Sequence, residues 1–280
     1  KPTVIFPALD YSIGPSYKTH IGSPSGFIFG ELNITTSASA VLSPSLEFDL
    51  VHTIPMTNNY ENLDYDPSRT DLEPVRTDIQ DYLKKGLNGF EVLALTYFKQ
   101  YTASDFLLIS LGDFETMYGG IYAEYLKRSF KLPISYGISG AVVKKRDFSK
   151  DLFSYQDYEV FTGHFTLYVN EPKYDLDLKV SYGRYLAKDD GFTFDLSRNF
   201  QNGLRIGAFF SLTNITADQF GEGSFDKGIY VNLPLHLFSR GSKKGTSYQS
   251  YRPLLRDGAA KLNFHKDLYS LTKYSSLMDF

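Results

Sequence analysis

The sequence predicts an all-β chain, a closed antiparallel transmembrane β-barrel of about 12–14 strands with one short helix in a long loop. Three observations predict it. First, stretches of about ten residues alternate apolar and polar side chains, with almost no helical periodicity between them. Second, Phe (23) and Tyr (22) supply nearly all of the 16% aromatic content, which suits strands and the aromatic girdles of a barrel. Third, mean hydropathy is −0.25 and no window approaches the apolar length of a membrane-spanning helix, whereas strands that are half polar can still cross.

Taken in order, candidate strands fall at 8–20, 26–38 and 45–54. The turn chemistries Gly22-Ser23-Pro24-Ser25-Gly26 and Ser43-Pro44 separate them. The segment 55–88 then breaks the rhythm as a long acidic loop, with three Asp from Asn62 to Asp71 inclusive. It ends in Thr77-Asp78-Ile79-Gln80, which reads as a capping box. Ile79, Tyr82 and Leu83 follow at helical spacing, with Lys84 and Lys85 in the last turn and Gly86 as the stop, giving a short helix over 78–85. The apolar trio needs a surface to cover, and the barrel interior or mouth is the nearest one.

Strands resume at 89–100, 105–116, 120–130 and 134–145, and a polar, aromatic segment occupies 146–157. They continue at 158–170, 174–186, 191–200, 203–214 and 227–238, with turns at Glu171-Pro172-Lys173 and Gln201-Asn202-Gly203. In two of them the alternation is strict. It puts Phe192, Phe194, Leu196, Ile229, Val231, Leu233 and Leu235 on the lipid face, and Thr193, Asp195, Ser197, Tyr230 and Asn232 on the lumenal one. A second long loop spans 238–257, and a last strand is expected at 258–266. Strands of 9–13 residues argue against a soluble sandwich, whose strands are shorter. With no internal repeat or linker, residues 1–280 read as a single domain. Lys1 opens without a signal-peptide pattern, as expected of a mature chain or of a piece of a longer one.

Several function classes lose support. The net charge is −3 with no basic face, so nucleic acid is not an expected partner. The absence of Cys removes thiol catalysis and thiolate metal sites. His20, His52, His164, His236 and His265 are scattered, each on a candidate strand, which suits barrel lining better than metal ligation. There is no phosphate-binding Gly-rich loop and no nucleophile elbow. No catalytic residues, metal or cofactor are expected, and the chain reads as a non-enzyme.

Two turns near the end carry opposite charges. Glu222 and Asp226 sit in Phe220–Gly228; Arg252, Arg256 and Asp257 sit in Tyr251–Gly258. They are expected to pair and fix the closing hairpin, with a substrate site as the alternative. Tyr248, Tyr251, Arg252 and Arg256 cluster in a long loop with no packing pattern of their own, which makes them candidate contacts for a glycan or a partner chain.

These stretches also carry a resemblance. FGEGSFDKGIYVNLPL (220–235), RPLLRDGAAKLN (252–263), RTDIQDYLKKGLNG (76–89) and TGHFTLY (162–168) resemble the YjbH/GfcD family of outer-membrane proteins encoded with exopolysaccharide or group 4 capsule genes. Members of that family are usually longer, with two barrel-like halves, and this chain resembles the second. The resemblance implies a part in secreting polysaccharide through the bacterial outer membrane, as a conduit or within an export complex. Its implied partners are membrane lipids and lipopolysaccharide, the polysaccharide itself, and periplasmic export proteins or a second barrel half. The alternative is a plugged assembly barrel that docks a partner without conducting glycan.

Overall fold

The computed structural model describes residues 6–23, 26–63, 72–220, 224–234, 246–252 and 257–275. They build one sheet of thirteen strands, each hydrogen-bonded to its neighbour in chain order, with every pairing antiparallel. The strands are β1 (Ala8–Ser23), β2 (Gly26–Ser43), β3 (Leu46–Asn58), β4 (Gly89–Gln100), β5 (Asp105–Asp113), β6 (Tyr118–Lys127) and β7 (Ile134–Arg146). They continue as β8 (Tyr155–Glu171), β9 (Leu176–Arg184), β10 (Asp190–Asn199), β11 (Arg205–Thr213), β12 (Asp226–Pro234) and β13 (Thr246–Tyr251). The helices are α1 (Ile79–Lys85), α2 (Ala217–Phe220) and α3 (Leu268–Ser275), and a single 3-10 turn covers Tyr60–Asn62.

The alternation read from the sequence is the alternation of the sheet. Phe192, Leu196 and Ile229 stand on an exposed face, with Ile229 56% exposed. Thr193, Ser197 and Tyr230 are buried on the opposite face. The same division continues through Leu111, Ile121, Ile138 and Phe161, which are exposed, and through Leu108, Tyr118, Val143 and Val160, which are buried. A soluble monomer seldom exposes so continuous an apolar surface. Leu235 lies outside the described residues. Leu233 and Asn232 are adjacent but face opposite ways, so they test the division. If Leu233 sits near a bilayer midplane, Leu233→Arg should cost roughly 2–4 kcal/mol, and Asn232→Arg should be mild. Equal unfolding midpoints for the two variants would argue against a lipid-facing sheet.

Two paired glycines let neighbouring strands approach closely. Gly112 and Gly120 are paired partners on β5 and β6, with φ of 140° and 154°. A Cβ on Gly112 would stand 2.1 Å from the Leu93 carbonyl oxygen, so only glycine lets the strands approach this closely.

The expected strand at 258–266 is not a strand. Residues 257–267 run without sheet pairing across the polar face and continue into α3. Ala260, Leu262 and Phe264 pack on an apolar cluster that includes Phe114, Tyr118, Val143 and Leu186. An extended chain alternates its side chains whether or not its backbone is paired, and that is why this segment imitated a strand. Conversely, the expected loop at 238–257 contains β13, whose sequence TSYQSY has no oily face to announce it. His265 accordingly lies in the inserted segment rather than on a strand, and His236 lies outside the described residues.

Helix α1 forms where expected and packs on the same covered face. Ile79 and Tyr82 join the cluster of Val75, Phe114 and Tyr118, while Leu83 packs against Phe29, Tyr60 and Leu63. Gly86 closes it, its N–H donating to the Tyr82 carbonyl at 3.0 Å. The core therefore lies between the polar face of the sheet and two inserted segments, 72–88 and 257–275.

Candidate functional site

The two inserted segments are clasped together by one carboxylate. Asp257 Oδ1 accepts the backbone N–H groups of Val75 (2.8 Å), Arg76 (2.7 Å) and Thr77 (3.0 Å). Its Oδ2 accepts the Thr77 hydroxyl at 2.6 Å. The expected capping box is thus replaced: the Thr77 hydroxyl donates to Asp257, and Asp78 at the N-cap makes no side-chain cap. Asp257 does not serve the closing hairpin; it receives the donors at the start of α1 from about 180 residues away. Arg76 extends the clasp. Its guanidinium donates to both Glu115 carboxylate oxygens at 2.8 Å and to the Lys261 carbonyl at 2.7 Å. The bidentate geometry fixes direction as well as distance.

From the clasp, the C-terminal segment crosses the covered face strand by strand. Asn263 meets Glu115, His265 and Lys266 meet Asp49 on β3, and Lys266 also pairs with Glu47 at 2.9 Å. Asp267 pairs with Lys179 on β9 at 3.4 Å. Burial works against the charged form of Asp267, but Lys179, the Ser270 hydroxyl and the Tyr269 N–H together hold its carboxyl below the usual range. Tyr269 stacks on Tyr168 of β8, with ring centroids 4.1 Å apart, and Arg128 beyond β6 donates to the Tyr269 carbonyl at 2.6 Å. One short stretch of chain thus touches groups on β3, β6, β8 and β9.

Beside this segment lies a cavity of about 360 Å³. Tyr122, Tyr168, Phe209, Tyr230, Tyr248 and Phe264 give it aromatic walls, and Lys179, Asp195, Asp226, Arg252 and Lys261 give it charge. Tyr230 donates to Asp195 at 2.7 Å, and its ring lies 5.8 Å from that of Tyr248. Arg252 lies 4.8 Å over the Phe209 ring and pairs with Asp226 at 3.7 Å. That pair is the expected one; Glu222 and Arg256 lie outside the described residues.

The candidate contact residues divide between the faces. Tyr248 and Arg252 line the cavity. Tyr251 is paired with Ile229, on the exposed apolar face. The reading that grouped all four came from a loop, where side chains need not alternate; in strand β13 they must. Sequence reasoning missed Lys179, Asp195, Tyr230 and Lys261 as a group, because they come from four places in the chain: the strand register brings the first three together, and the unpaired segment after Asp257 carries Lys261 across to them.

The family model described as exopolysaccharide biosynthesis protein, YjbH, matches residues 3–274. The chain belongs to the YjbH family. It is 32% identical over 274 residues to the uncharacterized lipoprotein YjbH of Escherichia coli (strain K12), an alignment that takes in 96% of this chain and 39% of that protein. The stretches that resemble YjbH now acquire physical roles. RTDIQDYLKKGLNG carries three of the four clasp donors (the N–H groups of Arg76 and Thr77 and the Thr77 hydroxyl) and α1, and RPLLRDGAAKLN carries the acceptor, Asp257, followed by Lys261. TGHFTLY supplies Thr162, His164, Thr166 and Tyr168 to the cavity wall. Asp226 and Tyr230, from the stretch beginning at Phe220, complete that wall. The stretches that carry the resemblance therefore lie largely on the covered face of the sheet.

Proposed function

We propose that this chain is a closed outer-membrane barrel that takes part in exopolysaccharide or capsule secretion, holding the glycan within its lumen and catalysing no reaction on it. The observation that carries the reading is the interior cavity, where aromatic rings alternate with ionic and hydroxyl groups. Sugar rings present apolar faces edged by hydroxyls, and tyrosine matches both. The printed description of the family as an exopolysaccharide biosynthesis protein supports the same substrate class.

Closure has its own support. Tyr17, Lys18 and Thr19 of β1 and Tyr248, Gln249 and Ser250 of β13 line one cavity of about 510 Å³ with α1, which supports closure, while the backbone pairing of the described strands runs only in chain order from β1 to β13. The exposed apolar face then meets lipid, as in barrels whose strands alternate lipid-facing and lumen-facing residues. A second reading has an observation of its own: segments 72–88 and 257–275 occupy the interior, which favours a plugged barrel that docks periplasmic export proteins or a second barrel half.

The cavity face of β13 distinguishes the glycan site from its surroundings. Replacing Tyr248 and Arg252 together with alanine should reduce secreted polysaccharide while the protein remains folded and heat-modifiable on a gel. Tyr251→Ala should leave secretion near normal. If the double variant secretes normally, the site is misplaced; normal secretion from cells lacking the protein would remove the function altogether.

A further inference from the structure

Among the described residues, the cavity holds one cation that its neighbours do not neutralise. Lys179 is paired with Asp267, Arg252 with Asp226, and Lys266 with Glu47 and Asp49. Lys261 forms no ion pair among the described residues, although it lines the same cavity as these groups. Its ammonium lies 5.9 Å from the centre of the Tyr185 ring, and its backbone carbonyl is fixed by Arg76. The nearby carboxylates have partners already: Asp195 accepts from Tyr230, Glu124 accepts the Tyr122 hydroxyl at 3.1 Å, and Asp226 and Asp267 are ion-paired. Lys261 is half-buried, and a charge drawn away from water without a counter-ion is costly, so an anionic group entering here would be favoured.

We propose that the cavity is a subsite for an acidic sugar unit, whose carboxylate or phosphate seats on Lys261 while its ring lies against the aromatic wall. This rests on the glycan-binding reading above and specifies the class of glycan. Burial pushes the Lys261 ammonium down to about 7, with Lys179 and Arg252 adding to the shift and Asp195 and Asp226 opposing it. The groups facing Lys261 are these four, together with His164 on β8 and Tyr185 after β9. At pH 8 an empty site leaves Lys261 largely neutral; an anion bound there restores its charge, so binding takes up a proton.

The test uses the full chain, solubilised and heat-modifiable, titrated calorimetrically at pH 8 with tetramannuronate, maltose 1-phosphate and neutral maltotetraose. At least one anionic glycan should bind about tenfold more tightly than maltotetraose, the scale of one charge-assisted hydrogen bond. Comparing the two anionic ligands separates carboxylate from phosphate. Titrations in buffers of different ionisation enthalpy should show proton uptake. Lys261→Gln should abolish the preference and the uptake while keeping neutral binding, and Lys261→Arg should keep the preference. Equal binding of neutral and anionic glycans, or a Lys261→Gln variant that keeps the preference, overturns the acidic subsite and leaves glycan binding standing. Failure of all three to bind overturns the subsite, and normal secretion without the protein then overturns the broader reading too. If the variants do not fold, ligand preference and proton uptake in the wild type still decide.

Discussion

Replacing Asp257 with alanine should cost on the order of 3–5 kcal/mol, because four donors lose one buried acceptor and each orphaned donor costs about 1–3 kcal/mol without adding in full. The donors are the N–H groups of residues 75–77 and the Thr77 hydroxyl. The clasp joins them to the C-terminal segment together with the reach of Arg76 to the Lys261 carbonyl, the Glu115 carboxylate that both Arg76 and Asn263 hold, and the packing of Val75 with Ala260. Denaturant unfolding should show the loss, and trypsin should cut at Arg76, Lys84 or Lys85 much faster than in the wild type. Asp257→Asn keeps one acceptor oxygen and should lose less. A wild-type midpoint together with wild-type protection in the alanine variant would show that the clasp contributes little.

Clearing the interior should have the larger functional effect. On the barrel reading, the intact chain should conduct near background in a planar bilayer. Replacing 60–87 with a short linker and ending the chain after residue 256 should produce discrete conductance steps. Removal of 60–87 alone should do less, because the C-terminal segment keeps its own anchors through Lys266, Asp267 and Tyr269. The deletion must begin after β3, which extends to Asn58, further than the alternation suggested. Large steps from the intact chain, unchanged by either deletion, would show that these segments are not a plug.

The sheet was legible because its physics is local. Period-two alternation in stretches such as Phe192–Ser197 fixes which side chains share a face, and turn residues such as Asn202-Gly203 fix where strands reverse. Helix α1 was legible from Gly86 and the spacing of Ile79, Tyr82 and Leu83. The site was legible only in pieces. Tyr248 and Arg252 were found as unexplained loop residues, but Tyr251 was grouped with them because β13 has no apolar face to reveal its pairing. Asp257 was read as a turn residue, since nothing in RDG itself points to Val75 or Thr77. Ala260–Phe264 shows the limit most clearly: alternation reports an extended backbone with two environments, and a segment threaded through an interior meets that description as well as a strand does.

Parity gives the threaded segment a further meaning. Every pairing is antiparallel, so the connections that follow odd-numbered strands gather at one rim and those that follow even-numbered strands at the other. Segment 59–88 follows β3, and segment 252–275 follows β13, so both descend from the same rim. Tight turns such as Pro44-Ser45 and Gln201-Asn202-Gly203 follow even strands and belong to the opposite rim. Yet the C-terminal segment reaches Arg128, in the turn after β6, and so runs the whole way between them. It is a drawstring held at both ends, and not a lid hinged at one. On the barrel reading, emptying the interior means pulling this segment out lengthwise, releasing the Asp257 clasp at one rim and the Arg128–Tyr269 contact at the other, and neither release alone should free a passage.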